Sequence, residues 1–135
     1  MPLQRFDVIR GRSDAALRAV LDAAHEALVE AFKVPASERY QCVTQHAPGE
    51  LVVGDSGLGY QRTDKLVLLS VVTRMRTTTE KVAFYRALVR NLQARCGIAP
   101  DDVVVSVVEN NHADWSFGRG RAQYLTHEVR HVDSD

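Results

Sequence analysis

Several features that mark other protein classes are missing from this sequence of 135 residues. No apolar run reaches the roughly 18 residues that a membrane-spanning helix requires, and the first residues lack the apolar stretch of a secretory signal. Lysine plus arginine equal aspartate plus glutamate at 17 each, so the formal net charge gives no indication of a nucleic-acid or anionic-membrane partner. These absences and the modest length predict a cytoplasmic protein whose residues 1–135 form a single domain with one core.

The sequence contains only two cysteines, Cys42 and Cys96, and they lie too far apart for a Cys-x-x-Cys metal or redox motif. Both are therefore predicted to be structural thiols. The five histidines show no metal-ligand spacing that would identify a zinc site. We accordingly predict no metal in this protein.

What the sequence does contain is a faint internal repeat at an offset of 64 residues. The pattern of strand, polar turn, helix, short turn and strand occurs twice, in halves of about 1–62 and 63–135. Apolar positions of the two predicted helices coincide when one half is shifted onto the other. The aligned pairs include Arg10 with Arg74, Arg12 with Arg76, Ser13 with Thr77, and Leu28 with Leu92.

Each half contains one amphipathic helix between two strands. In the first half, Ser13 is the predicted N-cap of a helix that continues to about Phe32. In the second half, Thr78 or Thr79 is the predicted N-cap, and Gly97 is well placed to end the helix. The predicted strands are Leu3–Ile9, 39–45, Leu66–Val72 with a continuation to Arg76, and Val103–Val108, with a short extra strand considered at Leu51–Val53.

Two strand–helix–strand units with right-handed crossovers predict an α/β (α+β) fold, in which one sheet has both helices on the same face. The segments LVLLSVV and VVVSVV are apolar on both sides, as strands buried on both faces are. Two helices can cover only one face of the sheet. The other face requires a neighbouring subunit, so the sequence predicts an oligomer.

Pro2 is a candidate catalytic residue because of its position in the chain. Aminopeptidases commonly remove an initiator methionine before a small residue, and loss of Met1 would leave Pro2 as a secondary amine. The reference pKa of a free α-amino group is about 7.7–8.0, so such an amine can act as acid, base or nucleophile near neutrality. Many chains also begin with this dipeptide for no catalytic reason, and the dipeptide alone does not separate the two interpretations.

Arg74 and Arg76 are candidate ligands for a carboxylate. They are two residues apart at the end of a predicted buried strand, so their side chains are expected on one face, with Met75 on the other. Two guanidinium groups placed in this way can bind a substrate carboxylate through bidentate hydrogen bonds. The alternative is a solvated strand end, with an ion pair between one of the arginines and Glu80.

The other polar and aromatic candidates have simpler explanations when each is considered alone. Arg10 and Arg12, the repeat partners of the arginine pair, flank Gly11 and are predicted to lie in a surface turn. Glu38 follows Pro35 and is typical of a turn carboxylate. Three aromatic residues of the tail can be either core or the wall of a small pocket: Trp115, Phe117 and Tyr124.

These features occur together in one family. The sequence resembles the tautomerase superfamily and, within it, the malonate semialdehyde decarboxylases, over nearly its whole length. The combination of the initial proline with the DWSFG–G–AQ string is specific for this resemblance. The segments that carry it are MPL, the Arg12–Ser13 turn, DAAHEALVEAF, VPASERYQ, DSGLGYQR, TRMR and DWSFGRGRAQYLT.

The resemblance implies a tautomerase-like β-α-β repeat fold assembled as a homotrimer, with Met1 removed and Pro2 catalytic. It assigns Arg74 and Arg76 to catalysis and substrate binding, and Thr73 of the same TRMR segment to substrate binding. It also places an apolar pocket wall in the tail, with tyrosine where the family has phenylalanine. That wall consists of Trp115, Phe117 and Tyr124.

The implied activity is that of a lyase that decarboxylates malonate semialdehyde, or a similar small 3-oxo acid, without cofactor or metal. Glu38 occupies the catalytic acidic position, where the family has aspartate. Two alternatives stay open: an isomerase or hydratase that acts on a 2-keto or unsaturated acid at the same site, and a non-catalytic oligomeric binding module. The expected partners are a small carboxylate-bearing carbonyl compound and further copies of the chain, with neither nucleic acid nor membrane.

Overall fold

The computed structural model describes residues 2–129, which form four strands and two long helices. No helix within this range is both long and apolar enough to cross a membrane. Residues 51–53, where the sequence suggested a short extra strand, have no regular secondary structure. The elements are β1 Leu3–Ile9, α1 Asp14–Phe32, β2 Tyr40–His46, β3 Val67–Arg74, α2 Thr78–Cys96 and β4 Val103–Asn110, with short 3₁₀ helices at Pro100–Asp102 and His112–Asp114.

The four strands form one sheet in the order β2-β1-β3-β4. The outer pairs, β1 with β2 and β3 with β4, are parallel, whereas the central pair β1 with β3 is antiparallel. Consequently, β1 and β2 start at the same edge of the sheet where β3 and β4 end. We call this the proline edge, because Pro2 directly precedes β1, and the other the opposite edge.

The core lies between the two helices, which pack on each other, and one face of the sheet. Alternate residues of β1 and β3 are buried in it, which is the period expected of strands covered on one side. Burial of each large side chain contributes roughly 1.5–3 kcal/mol. This arrangement confirms the predicted sheet with two helices on one face. The largest apolar core side chains include Phe6, Phe32, Phe84, Leu28, Leu69, Leu88 and Leu92.

Both helices begin and end at residues that the repeat relates. Ser13 caps α1 by accepting the backbone N–H of Ala16, as predicted. Thr77, rather than Thr78 or Thr79, caps α2, because its hydroxyl and the Glu80 carboxylate each accept the other residue's backbone N–H in a capping box. Each helix then ends at a left-handed residue, with the φ angle at 59° for Lys33 in the first and at 65° for Gly97 in the second.

The face of the sheet away from the helices carries a row of apolar side chains. Leu3 pairs with Tyr40 on one side and Val72 on the other, and Val72 pairs with Val108, so the row crosses all four strands. Its outer members are exposed, with 39% of the surface of Tyr40 and 58% of that of Val108 accessible. An apolar row on an outer face is the kind of surface that a further subunit covers.

Candidate active site

Pro2 is buried at the start of β1, in the centre of the proline edge. Leu3, the next residue, pairs with Tyr40 of β2 and Val72 of β3. Continuing this register by one residue places Pro2 between the segment that precedes β2 and Thr73 near the end of β3. Met1 lies outside the described residues, so its predicted removal stays a prediction.

Arg74 is the last residue of β3, where it pairs with Asn110 at the end of β4. Only 7% of its surface is exposed. Its guanidinium carbon lies 5.0 Å from the centre of the Tyr124 ring, and its Nη1 contacts Nε2 of His112. Because a guanidinium can only donate, that contact requires His112 Nε2 to be an unprotonated acceptor.

Arg76 follows two residues later and is also buried, with 5% exposed, whereas 77% of Met75 is accessible. This alternation is the one expected from the spacing, although the two guanidinium groups have different neighbours. Arg76 points toward the end of α1, where its Nη1 donates to the Phe32 carbonyl oxygen at 3.3 Å and its Cζ lies 4.7 Å from the Phe32 ring centre. Its Nε donates to the hydroxyl of Thr73 at 3.1 Å. Thr73 therefore positions Arg76.

Glu109 orients the backbone that carries Arg76. It pairs with Thr73 across the parallel strands, and its carboxylate accepts the Arg76 backbone N–H at 2.8 Å and lies 3.1 Å from the Lys81 ammonium. The hydrogen bond from Arg76, followed by that from Lys81, lowers the pKa of the Glu109 carboxyl group. Glu80, the alternative ion-pair partner considered for the arginines, contributes its carboxylate to the cap of α2.

Glu38 lies in the turn between α1 and β2, two residues before the start of β2. Its backbone N–H donates to the carbonyl oxygen of Pro35 at 3.0 Å, which closes this turn. The residue is half-buried. The parallel pairing of β1 and β2 therefore brings this carboxylate to the same edge of the sheet as Pro2.

The three tail aromatics form a contiguous cluster along the proline edge. Trp115 stacks on Phe117 with ring centres 5.4 Å apart, and Phe117 meets the edge of Tyr124 at the same distance. Tyr40 at the start of β2 stacks on Phe117 at 6.0 Å, so the cluster reaches from β4 back to β2. The tail thereby supplies an apolar wall beside the arginines and the start of β1.

The structure thus brings all eight predicted site residues to one edge of the sheet, and it adds four that the sequence did not indicate. His112 contacts Arg74 and Phe32 contacts Arg76, Glu109 anchors the backbone of Arg76, and Tyr40 extends the aromatic wall. The sequence gives no signal for these four residues, because each contacts its partner only after the chain has folded. The eight predicted residues are Pro2, Glu38, Thr73, Arg74, Arg76, Trp115, Phe117 and Tyr124.

The repeat partners of the arginines behave differently from each other. Arg10 is exposed, and its Nη2 lies 3.5 Å from the carbonyl oxygen of Gln45. Arg12 was predicted to lie in a surface turn, but it is half-buried and its Nη2 donates to the carbonyl oxygen of Lys65 at 2.6 Å. Arg12 does lie in the loop between β1 and α1, but its side chain is more buried than expected for a residue of a surface turn.

Comparison with known proteins identifies the family. Two family models described as "Tautomerase enzyme" match residues 38–118 and 2–61. The probable tautomerase YrdN of Bacillus subtilis (strain 168) is 51% identical over 126 residues, which cover 93% of this chain and 98% of that protein.

Among solved structures, malonate semialdehyde decarboxylase, described together with its decarboxylase and hydratase activities, is 55% identical with a TM-score of 0.93 and coverage of 95% and 99% of the two chains. FG41 malonate semialdehyde decarboxylase, inhibited by 3-bromopropiolate, is 41% identical with a TM-score of 0.90 and coverage of 94% and 97%. These matches confirm the resemblance recognised in the sequence. The chain belongs to the tautomerase superfamily, and malonate semialdehyde decarboxylases are among its close structural relatives.

Proposed function

We propose that this protein is a cofactor-independent decarboxylase of malonate semialdehyde or a similar small 3-oxo acid. The observation that carries the proposal is the burial of Arg74 and Arg76 at the same edge of the sheet as Pro2. Bringing two cationic side chains out of water costs several kcal/mol per charge. Binding of a small carboxylate away from solvent would explain why two cationic side chains are buried despite this cost.

In the proposed reaction, Arg74 and Arg76 bind the substrate carboxylate and turn its bond out of the plane of the neighbouring carbonyl group. The carbon–carbon bond to the carboxylate breaks, and its electron pair moves into an enolate as carbon dioxide leaves. Protonated Pro2 donates a hydrogen bond or a proton to the enolate oxygen. Return of a proton to the terminal carbon then yields acetaldehyde from malonate semialdehyde.

The tail aromatics and Glu38 have supporting roles in this proposal. Trp115 and Phe117 form an apolar wall at which a departing carboxylate is poorly solvated, which favours neutral carbon dioxide. Tyr124 packs on Arg74 and holds its guanidinium in place. Glu38 keeps Pro2 protonated, because a nearby carboxylate favours the charged form of an amine.

The second candidate function is keto–enol tautomerisation of a 2-keto acid, or hydration of an unsaturated acid, at the same site. The name of the Bacillus subtilis relative, a probable tautomerase, favours it. In the tautomerisation Pro2 is the general base and must be neutral, so decarboxylation and tautomerisation require opposite protonation states of one amine.

We also propose that the chain assembles as a homotrimer, in which the apolar row from Tyr40 to Val108 is covered by another copy. Light scattering on the purified protein tests this proposal. A mass of three chains is expected, and a monomer would contradict it.

The activity is tested by assaying malonate semialdehyde and phenylpyruvate with one preparation, together with its intact mass. Decarboxylation of the first substrate with a mass lower by one methionine is expected. Turnover of phenylpyruvate alone would favour the tautomerase. A retained Met1 without activity on either substrate would favour a binding module, because the Pro2 nitrogen would then be an amide. Replacement of Pro2 by alanine should abolish turnover, and unchanged turnover in that variant would contradict both enzymatic functions.

A further inference from the structure

The opposite edge of the sheet contains a second basic cavity. It has a volume of about 200 Å³ and lies between the start of α1, the end of α2 and the residues before β3. Three of its seven lining residues are basic, and none is acidic. The lining residues are Arg12, Ala16, Ala19, Val20, Lys65, Arg95 and Cys96.

The internal repeat relates this cavity to the proline edge. A shift of 64 residues carries Arg12 onto Arg76 and Cys96 onto Phe32. Arg76 lies against Phe32 at the end of α1, and Arg12 borders the same cavity as Cys96 at the end of α2. In the other half of the chain, the cavity therefore corresponds to the part of the candidate active site that contains Arg76.

Arg12 carries a hydrogen-bonding group that the described part of the chain does not satisfy. Its Nη2 donates to the carbonyl oxygen of Lys65, but its Nη1 is buried and has no hydrogen-bond partner among residues 2–129. Buried donors of this kind are uncommon, because each destabilises the protein when no acceptor is supplied. Burial also lowers the pKa of Arg12, which means that the side chain is held where its charge is poorly solvated.

Acidic groups around the cavity reduce its positive charge without removing it. Asp64 and Asp102 lie close enough to raise the pKa of Arg12 against the effect of burial. The Asp102 carboxylate already accepts hydrogen bonds from the backbone and hydroxyl of Thr63, and Arg95 pairs with Glu26. Arg12 and Lys65 therefore remain as the cations that can meet an anion, which indicates a weak site.

We propose that this cavity binds a small carboxylate without transforming it. The volume corresponds to about seven water molecules at roughly 30 Å³ each, which suits an anion of the size of malonate. The repeat places Leu66 where the other half has Pro2, and the Leu66 nitrogen is an amide that donates to the carbonyl oxygen of Thr63 at 3.2 Å. An amide nitrogen is neither base nor nucleophile. The cavity therefore has an arginine that can bind an anion but no amine that could act in catalysis.

Cys96 makes the site testable without an activity assay. The protein has two cysteines, so in a Cys42→Ser background iodoacetamide reports on Cys96 alone. Malonate bound beside Arg12 should slow alkylation of Cys96 at least threefold. In Arg12→Met the alkylation rates with and without malonate should be equal, and in Lys65→Met malonate should slow alkylation less than it does in the parent protein. Arg10→Met, which removes an exposed arginine from the same turn, should keep the full protection.

The ratio is compared within each variant, because Arg12 itself influences the pKa of the Cys96 thiol. Thermal melting verifies that each variant folds. Repeating the experiment in Arg74→Met separates the cavity from the proline edge, since protection of Cys96 should survive there whether or not the protein is a decarboxylase. Equal rates with and without malonate, or full protection in Arg12→Met, would overturn the proposal. Protection by inorganic phosphate but not by malonate would overturn the assignment to a carboxylate.

Discussion

The two β-α-β units of this protein share a backbone plan and differ in what each places at the end of its first strand. In the first unit, β1 leads to Arg10, which is exposed, and Arg12, which is half-buried. In the second unit, β3 leads to Arg74 and Arg76, which are both buried at the proline edge. The comparison teaches that the repeat sets the backbone of both units, and that the residues before β1 and after β4 decide which edge carries the candidate active site.

The largest difference between the units is expected when equivalent arginines are removed. Arg74→Ala should lower kcat/KM about a thousandfold, because loss of one partner of a buried charge pair costs roughly 2–5 kcal/mol. Arg10→Ala, at the repeat-related position, should leave kcat/KM within a factor of two. Steady-state kinetics of the two variants measure the contrast. Equal losses in both would show that the units are not functionally distinct.

The cores of the two units, by contrast, should respond alike. Leu28 and Leu92 are repeat partners with 1% and 0% of their surface exposed. Each Leu→Ala replacement should reduce the free energy of unfolding by about 3 kcal/mol, from lost burial and the cavity left behind. Urea denaturation measures both, and Leu58→Ala at an exposed position should change stability by less than about 0.5 kcal/mol. A difference above 2 kcal/mol between the two core variants would break the equivalence.

The helix ends offer a smaller test, because one unit uses lysine where the other uses glycine. Lys33→Gly should stabilise the protein by about 0.5 kcal/mol, since glycine adopts the left-handed conformation without the cost that a side chain brings. Gly97→Ala should destabilise it by about 1 kcal/mol, although a Cβ there would meet no atom within 4 Å. Gly54→Ala, where φ is not positive, is the matched control and should be neutral or slightly stabilising. Denaturation midpoints report all three, and a stabilising Gly97→Ala would contradict this account.

The smallest expected effect concerns Glu109, whose repeat partner is Gln45. Glu109→Gln gives the second unit the residue of the first and should cost less than about 1 kcal/mol, because the carboxylate is partly exposed. Since folding lowers the pKa of Glu109, its contribution is present above the ordinary glutamate pKa of about 4.3 and is lost as pH falls through the lower folded value. The stability difference between wild type and variant should therefore shrink below pH 4.

That difference is measured by urea titration at pH 7 and at pH 3.5. Glu50→Gln, at an exposed turn, controls for the loss of one negative charge. If the stability difference between wild type and Glu109→Gln grew toward acid pH, the stabilising role assigned to the ionised Glu109 carboxylate would be contradicted.

Local chemistry made most element boundaries predictable, and the errors have local causes. Ser13 was recognised as a cap, but the run from Thr77 to Thr79 offered three hydroxyls, and the reciprocal bond with Glu80 selects the first. β3 was expected to continue to Arg76, but it ends at Arg74. The reason is that the Arg76 backbone N–H donates to the Glu109 side chain instead of to a neighbouring strand.

The candidate site could be predicted only where its residues lie together in sequence or in a recognisable family segment. Arg74 and Arg76 were found from their spacing, and the tail aromatics from the DWSFG–G–AQ resemblance. His112 was not found, because it meets Arg74 only after β4 and the tail have been placed beside β3. The inward path of Arg12 was missed for the same reason, since its acceptor on Lys65 is 53 residues away.

By itself, the amino-acid order determined the two helices, the four strands and their repetition, because apolar periodicity and capping residues act over a few positions. Tertiary structure alone decided which edge of the sheet would gather Pro2, the arginine pair and the aromatic wall. It also decided that Arg12 would enter a second cavity. The physical reason is that burial and charge are properties of groups brought together from distant positions, and only the packed sheet and helices establish those neighbours.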